Sequence, residues 1–185
     1  MPDQDTIKEF IIAAHGDLPK VQSMLADDPT LIRESYDWNP GGREDALQAA
    51  GHVGNRPIAE YVLGVGLPMT VFAAAMLGIH DDMRDYLEDN PALATTPGVH
   101  GIPLMWHAAL SGDPRITALV AECGAPVDSS NLHAAISKGH AEMVRWLLDH
   151  GATDLSVKNF QGQTVIEAAE AEGNQKIIEM LRAAS

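Results

Sequence analysis

The sequence predicts an all-α helical-repeat solenoid of about six helix pairs with irregular hairpin fingers, on three observations. First, a small-residue run closing on glycine recurs at Ala13-Ala14-His15-Gly16, Ala49-Ala50-Gly51-His52-Val53-Gly54, Ala73-Ala74-Ala75-Met76-Leu77-Gly78, His107-Ala108-Ala109-Leu110-Ser111-Gly112, Ala134-Ala135-Ile136-Ser137-Lys138-Gly139 and Ala168-Ala169-Glu170-Ala171-Glu172-Gly173. Small residues suit first helices that pack closely against their neighbours, and glycine permits the turn that follows. Second, each turn leads into an amphipathic segment with helical spacing. Third, one such pair is too small to bury its own apolar face, so it needs neighbours of the same shape.

The second helices follow in order: Val21/Met24/Leu25, Ile58/Tyr61/Val62/Leu63, Met83/Tyr86/Leu87, Ile116/Leu119/Val120, Val144/Leu147/Leu148 and Ile177/Ile178/Leu181. Asp17, Asn55, Asp81, Asp113 and Asn174 stand where these helices want an N-cap. Pro19, Pro57 and Pro114 fall in a first turn, where a missing N–H matters little. The turn glycines 16, 54, 78, 112, 139 and 173 lie 38, 24, 34, 27 and 34 residues apart. The long intervals leave room for projecting fingers at 36–45, 95–103 and 157–164. The short ones predict tight loops at 64–70 and 124–130.

The fifth pair is the most specific. Leu132-His133, Ala134-Ala135, Gly139-His140, Val144, Leu147-Leu148 and Gly151-Ala152 closely resemble the ankyrin repeat, whose period is about 33 residues. Asn159-Phe160-Gln161-Gly162-Gln163-Thr164 fits that family's finger, with Asn in place of its usual Asp. The resemblance extends by pattern over residues 6–183 and implies a single ankyrin-repeat domain over 1–185. The first pair departs from the pattern as terminal caps do, and Glu167 stands where the family has His.

Composition narrows the function. With 12 Lys and Arg against 26 Asp and Glu, the formal charge is −14. Nothing could neutralise several phosphates at once, which argues against nucleic acid and anionic membrane. The lone Cys123 cannot form an internal disulfide and reads as a buried structural thiol. No window approaches about 18 uninterrupted apolar residues. Met1-Pro2-Asp3-Gln4-Asp5 lacks a signal peptide's basic region, so a cytoplasmic location is expected. No phosphate-binding loop, nucleophile elbow or His-Glu-x-x-His is present.

Eight histidines remain. His133 and His140 match ankyrin positions that satisfy backbone groups, His150 suits a helix C-terminus, and His15 and His80 beside turn glycines read the same way. His52, His100 and His107, with Asp37 or Glu44, are a chemically plausible zinc set. They lie on separate pairs without short ligand spacing, so no catalytic residue, metal or cofactor is assigned.

In ankyrin-like units the residues before the turn glycine and those on the fingers face a concave groove. The resemblance therefore implies a non-enzymatic, monomeric scaffold that binds a protein partner there. Its expected contacts are Tyr36, Asp37, Trp38, Glu44, His52, Met76, Leu77, His100, Ile102, Leu110, Phe160 and Gln163, with Asp37 and Glu44 supplying charge selection. Exposed apolar side chains in a groove mark binding sites. A first finger folded over Met76 and Leu77 would instead make them a secondary core. Two further readings stay open: a small-molecule or catalytic pocket between the first finger and pairs two to four, and an acidic inhibitor that occludes a basic surface.

Overall fold

The computed structural model describes residues 2–184, so Met1 of the acidic N-terminus and the final Ser185 lie outside the described residues. Among the described residues, twelve α-helices form six pairs: α1 (Gln4–Ala14) with α2 (Leu18–Asp27), α3 (Ala46–His52) with α4 (Arg56–Val65), α5 (Val71–Leu77) with α6 (His80–Asp89), α7 (Leu104–Ser111) with α8 (Pro114–Glu122), α9 (Asn131–Ser137) with α10 (Ala141–Asp149), and α11 (Val165–Glu172) with α12 (Gln175–Ala183). The first helices stack in chain order from α1 to α11. Second helices also meet, α2 on α4, α6 on α8, α8 on α10 and α10 on α12. The result is an all-α helical-repeat solenoid. None of its helices is long and apolar enough to cross a membrane.

The paired alanines lie where the stack is tightest: Ala14, Ala49, Ala50, Ala74, Ala75, Ala108, Ala109, Ala134, Ala135 and Ala169 are all fully buried. Gly112 shows why the turn needs glycine. Its φ is +74°, and a Cβ there would stand 2.7 Å from His140 Nδ1 of the next pair. That imidazole turns its Nε2 to the Leu110 carbonyl at 3.2 Å. Comparable ties join other turns: Asn55 Nδ2 donates to His15 O at 3.3 Å, Asn174 Nδ2 to Gly139 O at 3.4 Å, and His80 Nε2 meets Asp113 Oδ2 at 3.2 Å. His133 Nε2 meets Val157 O at 3.1 Å, as its family position implies.

Asp17, Asn55, Asp113 and Asn174 cap α2, α4, α8 and α12 with their side chains. Asp81 does not. Helix α6 starts two residues earlier than expected, with Ile79 at its cap, leaving Asp81 in the first turn, where an acid still complements the positive helix end. Glu167 has a local role: with Thr164 it closes a capping box at the start of α11.

The fingers differ. The first is a hairpin, β1 (Tyr36–Asp37) paired antiparallel with β2 (Arg43–Glu44). The last keeps a single bridge between Lys158 and Thr164. The segment expected as a finger over 95–103 forms 3₁₀ turns at Pro91–Thr95 and Val99–Gly101 instead. Pro91, Pro97 and Pro103 lack the N–H that a ladder needs. Residues 66–70 and 124–130 form short connections without a hairpin. Cys123 is unbridged and only half-buried.

The expected exposed pair Met76 and Leu77 is core, 2% and 7% exposed. Helix α5 is apolar on every side, with α3 before it and α7 after it, and such a helix has no face to spare. Leu110 follows at 5% exposure in the same cluster. Met76 and Leu77 therefore present nothing to a partner, whereas Leu110, though nearly buried, still borders a groove.

Candidate functional site

Side chains alternate across the first hairpin, and Tyr36 opposes Glu44 while Asp37 opposes Arg43. Arg43 turns outward, its guanidinium donating to the Ser35 carbonyl at 3.0 Å. Glu44 turns inward and is completely buried. Asp37 is exposed and accepts from the Asn39 backbone N–H at 3.0 Å, which tightens the fingertip.

The Glu44 carboxylate is the centre of an imidazole cluster. Trp38 Nε1 donates to Oε2 at 2.6 Å. His15 Nε2, from the end of α1, lies 3.7 Å from Oε2. His52 Nδ1, on the last residue of α3, lies 3.1 Å from Oε1, and His100 Nε2 lies 3.5 Å from the same oxygen. The rings contact edge to face, with centroids 4.9 Å apart for His15 and His52 and 5.5 Å for His52 and His100. The imidazoles are 31%, 13% and 30% exposed, so the cluster meets solvent on their side while the carboxylate stays dry. Burial pushes the Glu44 carboxyl up; His52, His15 and the indole N–H more than offset it and hold the group below the ordinary range.

Two features of this cluster are uncommon. Although 3.1 Å apart, His52 Nδ1 and Glu44 Oε1 are misaligned, and neither has a hydrogen-bond partner. His100 has a positive φ of 59°, rare for a non-glycine residue. Its N–H donates to Gly41 O at 3.0 Å, and a Cβ on Gly41 would stand 2.4 Å from the His100 ring. Finger and turn are fitted to each other.

Of the expected zinc set, His52, His100 and Glu44 come together. His107 and Asp37 do not. His107 lies inside α7, buried, with Nδ1 on the Pro103 carbonyl at 3.1 Å and its ring against Phe72. His15 takes the place expected for His107; it stands at the turn of pair one as His52 does at pair two.

Of the expected partner contacts, Glu44 is removed by complete burial, and Met76 and Leu77 by their place in the core. Tyr36 and Trp38 are half-buried and meet edge to face with centroids 4.7 Å apart, and the indole N–H is committed to Glu44. Ile102 and Phe160 line a groove of about 410 Å³ together with Val53, His100, Trp106 and Lys138. Trp106 is anchored by donating Nε1 to the His52 carbonyl at 2.9 Å. Phe160, at the tip of the last finger, is 93% exposed. Gln163 accepts from Asn159 Nδ2 at 3.0 Å and steadies that tip.

Residues 104–185 match the family model for ankyrin repeats, in three copies. A rice protein (Oryza sativa subsp. japonica) described as a probable E3 ubiquitin-protein ligase, XBOS33, is 42% identical over 53 residues, 29% of this chain and 10% of that protein. The chain thus spans about a tenth of that relative's length. Residues 104–185 belong to the ankyrin repeat family, and helix pairs of the same build continue N-terminal to them from α1 to α6.

Proposed function

We propose that the chain is a non-enzymatic binding module that holds a protein partner in the groove between the 99–101 turn and the last finger. The observation that carries this reading is Phe160, an aromatic ring 93% exposed on a fingertip that is itself fixed. Asn159 Oδ1 accepts from the backbone N–H groups of Gln161 at 3.0 Å and Gln163 at 2.9 Å. Asn159 N–H donates to Gln163 O at 2.9 Å. A rigid aromatic beside an apolar groove anchors a partner with little loss of conformational freedom. Ile102, Trp106 and Phe160 supply the apolar contact, and His52 and His100 line the same groove. The net charge of −14 favours a neutral or basic partner over an acidic one. Ankyrin repeats are scaffolds for protein–protein contact, and the ligase activity named for the rice protein stays with that protein.

The test pairs a groove variant with a back-face control. Phe160→Asp with Ile102→Asp should abolish retention of the partner captured by wild-type protein while leaving the melting temperature within a few degrees. Ile12→Asp, on the exposed side of α1, should retain it. Equal retention by both variants would place the contact elsewhere. The alternative, an organic ligand, would compete for the same groove, which His52, His100 and Trp106 line. The space beside His52 and His107 is about 10 Å³, near the size of one water.

A further inference from the structure

We propose that His15, Glu44 and His52 bind a divalent transition-metal ion, Zn²⁺ fitting best, with His100 closing the coordination. The ligand atoms of the first three lie within 4.8 Å of one another. Four ligands placed tetrahedrally about zinc at roughly 2.0–2.1 Å stand roughly 3.3 Å from one another. His52 Nδ1 and His100 Nε2 stand 3.1 and 3.5 Å from Glu44 Oε1, near that value, and His15 Nε2 stands 3.7 Å from Oε2, so His100 and one carboxylate oxygen would close in on an ion held by the other three.

The hydrogen bonding points the same way. His15 Nδ1 sits 2.9 Å from the Ile11 carbonyl, which can only accept, so Nδ1 carries the ring hydrogen. In the neutral ring Nε2 is then a bare lone pair turned toward a carboxylate, an arrangement that repels unless a proton on Nε2 or a metal ion lies between. Zinc-bound imidazoles use their second nitrogen in this manner, donating it to a backbone carbonyl. His52 Nδ1 and Glu44 Oε1 are likewise buried, 3.1 Å apart and without a well-formed hydrogen bond. A buried carboxylate has about four acceptor positions, and Trp38 fills one of them at 2.6 Å. That indole acts as the outer partner that orients the carboxylate.

Imidazole and carboxylate together suit zinc, whereas magnesium and calcium prefer oxygen donors throughout. The ion would join four pieces of chain: the end of α1, the first finger, the end of α3 and the 99–101 turn. With His100 as the fourth ligand no position would be left to water, which makes the role structural. The left-handed backbone at His100 is the conformation that brings its Nε2 within 3.5 Å of Glu44.

Titration of metal-free protein with ZnSO₄ by calorimetry should give one ion per chain with a dissociation constant below a micromolar, and a raised melting temperature. Co²⁺ in its place should give the intense visible bands of a tetrahedral site. Glu44→Gln and His52→Ala should each weaken Zn²⁺ binding at least 100-fold, and His150→Ala, a histidine outside the cluster, should leave it unchanged. His15→Asn, at a half-exposed position, serves if a core variant fails to fold, and it too should weaken binding at least tenfold. Substoichiometric uptake, octahedral cobalt spectra, or binding equal in wild type and His15→Asn would overturn the assignment. Loss of partner retention in the groove variant with zinc binding intact would separate this site from the proposed interface.

Discussion

His107 is held neutral by its surroundings. Its ring is buried in α7, and burial drives its pKa down to about 4, against a smaller upward pull from the hydrogen bond to Pro103. The unfolded chain, with His near 6.5, therefore binds more protons than the folded one between those values. The resulting stability is complete above pH 6.5 and is lost as the pH falls from about 6.5 toward 4, up to about 3 kcal/mol in all. His133 and His140, also lowered by burial, act in the same direction. Denaturant unfolding at pH 7 and pH 4.5 should show a smaller acid loss for His107→Gln than for wild type, and equal losses would remove His107 as a source. The same residue marks what a sequence hides. The presence of imidazoles and carboxylates near the first finger was legible, and His52, His100 and Glu44 stood among the candidates for a set whose proximity the spacing could not give. Which further histidine joined them was not legible, since His107 and His15 both stand near a turn and only the stacking decides which ring faces out.

Helix α10 and helix α5 show how far periodicity alone can place an element. In α10, Met143, Val144 and Leu147 share one face, and all three are completely buried while Glu142 and Arg145 face solvent. That division was written in the spacing. Truncating Leu147 to Ala removes a side chain whose surroundings belong to the continuous core, and should cost about 2–5 kcal/mol. A loss under about 1 kcal/mol in urea unfolding would contradict that burial. Helix α5 carries no such contrast: Val71 to Leu77 is apolar throughout, so its sequence cannot say which side is outermost. Family analogy places Met76 and Leu77 in an open groove, but packing between α3 and α7 leaves no open side. The 95–103 insertion fails for a different reason. Its length was legible from the glycine interval, whereas its prolines dictate 3₁₀ turns that a length argument overlooks.

Across the whole molecule, uneven glycine spacing correctly divides the chain into pairs with insertions and pairs without. Stacked repeats are held mainly by nearest neighbours, so a local perturbation is expected to fade one pair away. The hydrogen bond from Trp106 in α7 to the His52 carbonyl at the end of α3 breaks this rule by spanning pairs four and two. The ring also lines the groove, so the bond sets the wall against which Phe160 and Ile102 stand. Trp106→Phe keeps most of the apolar contact but removes the donor, for a cost of about 1 kcal/mol. Hydrogen exchange tells where that loss falls. The turn after α3 is closed by Gly54 N–H on Gly51 O at 3.2 Å and Asn55 N–H on Ala50 O at 2.8 Å. Both amides should exchange faster in the variant, while those of α11 and α12, two pairs away on the other side, keep their wild-type rates. Acceleration confined to α7 and α8 would mean that coupling runs through neighbours alone, and that the tryptophan does not brace the groove against the second pair.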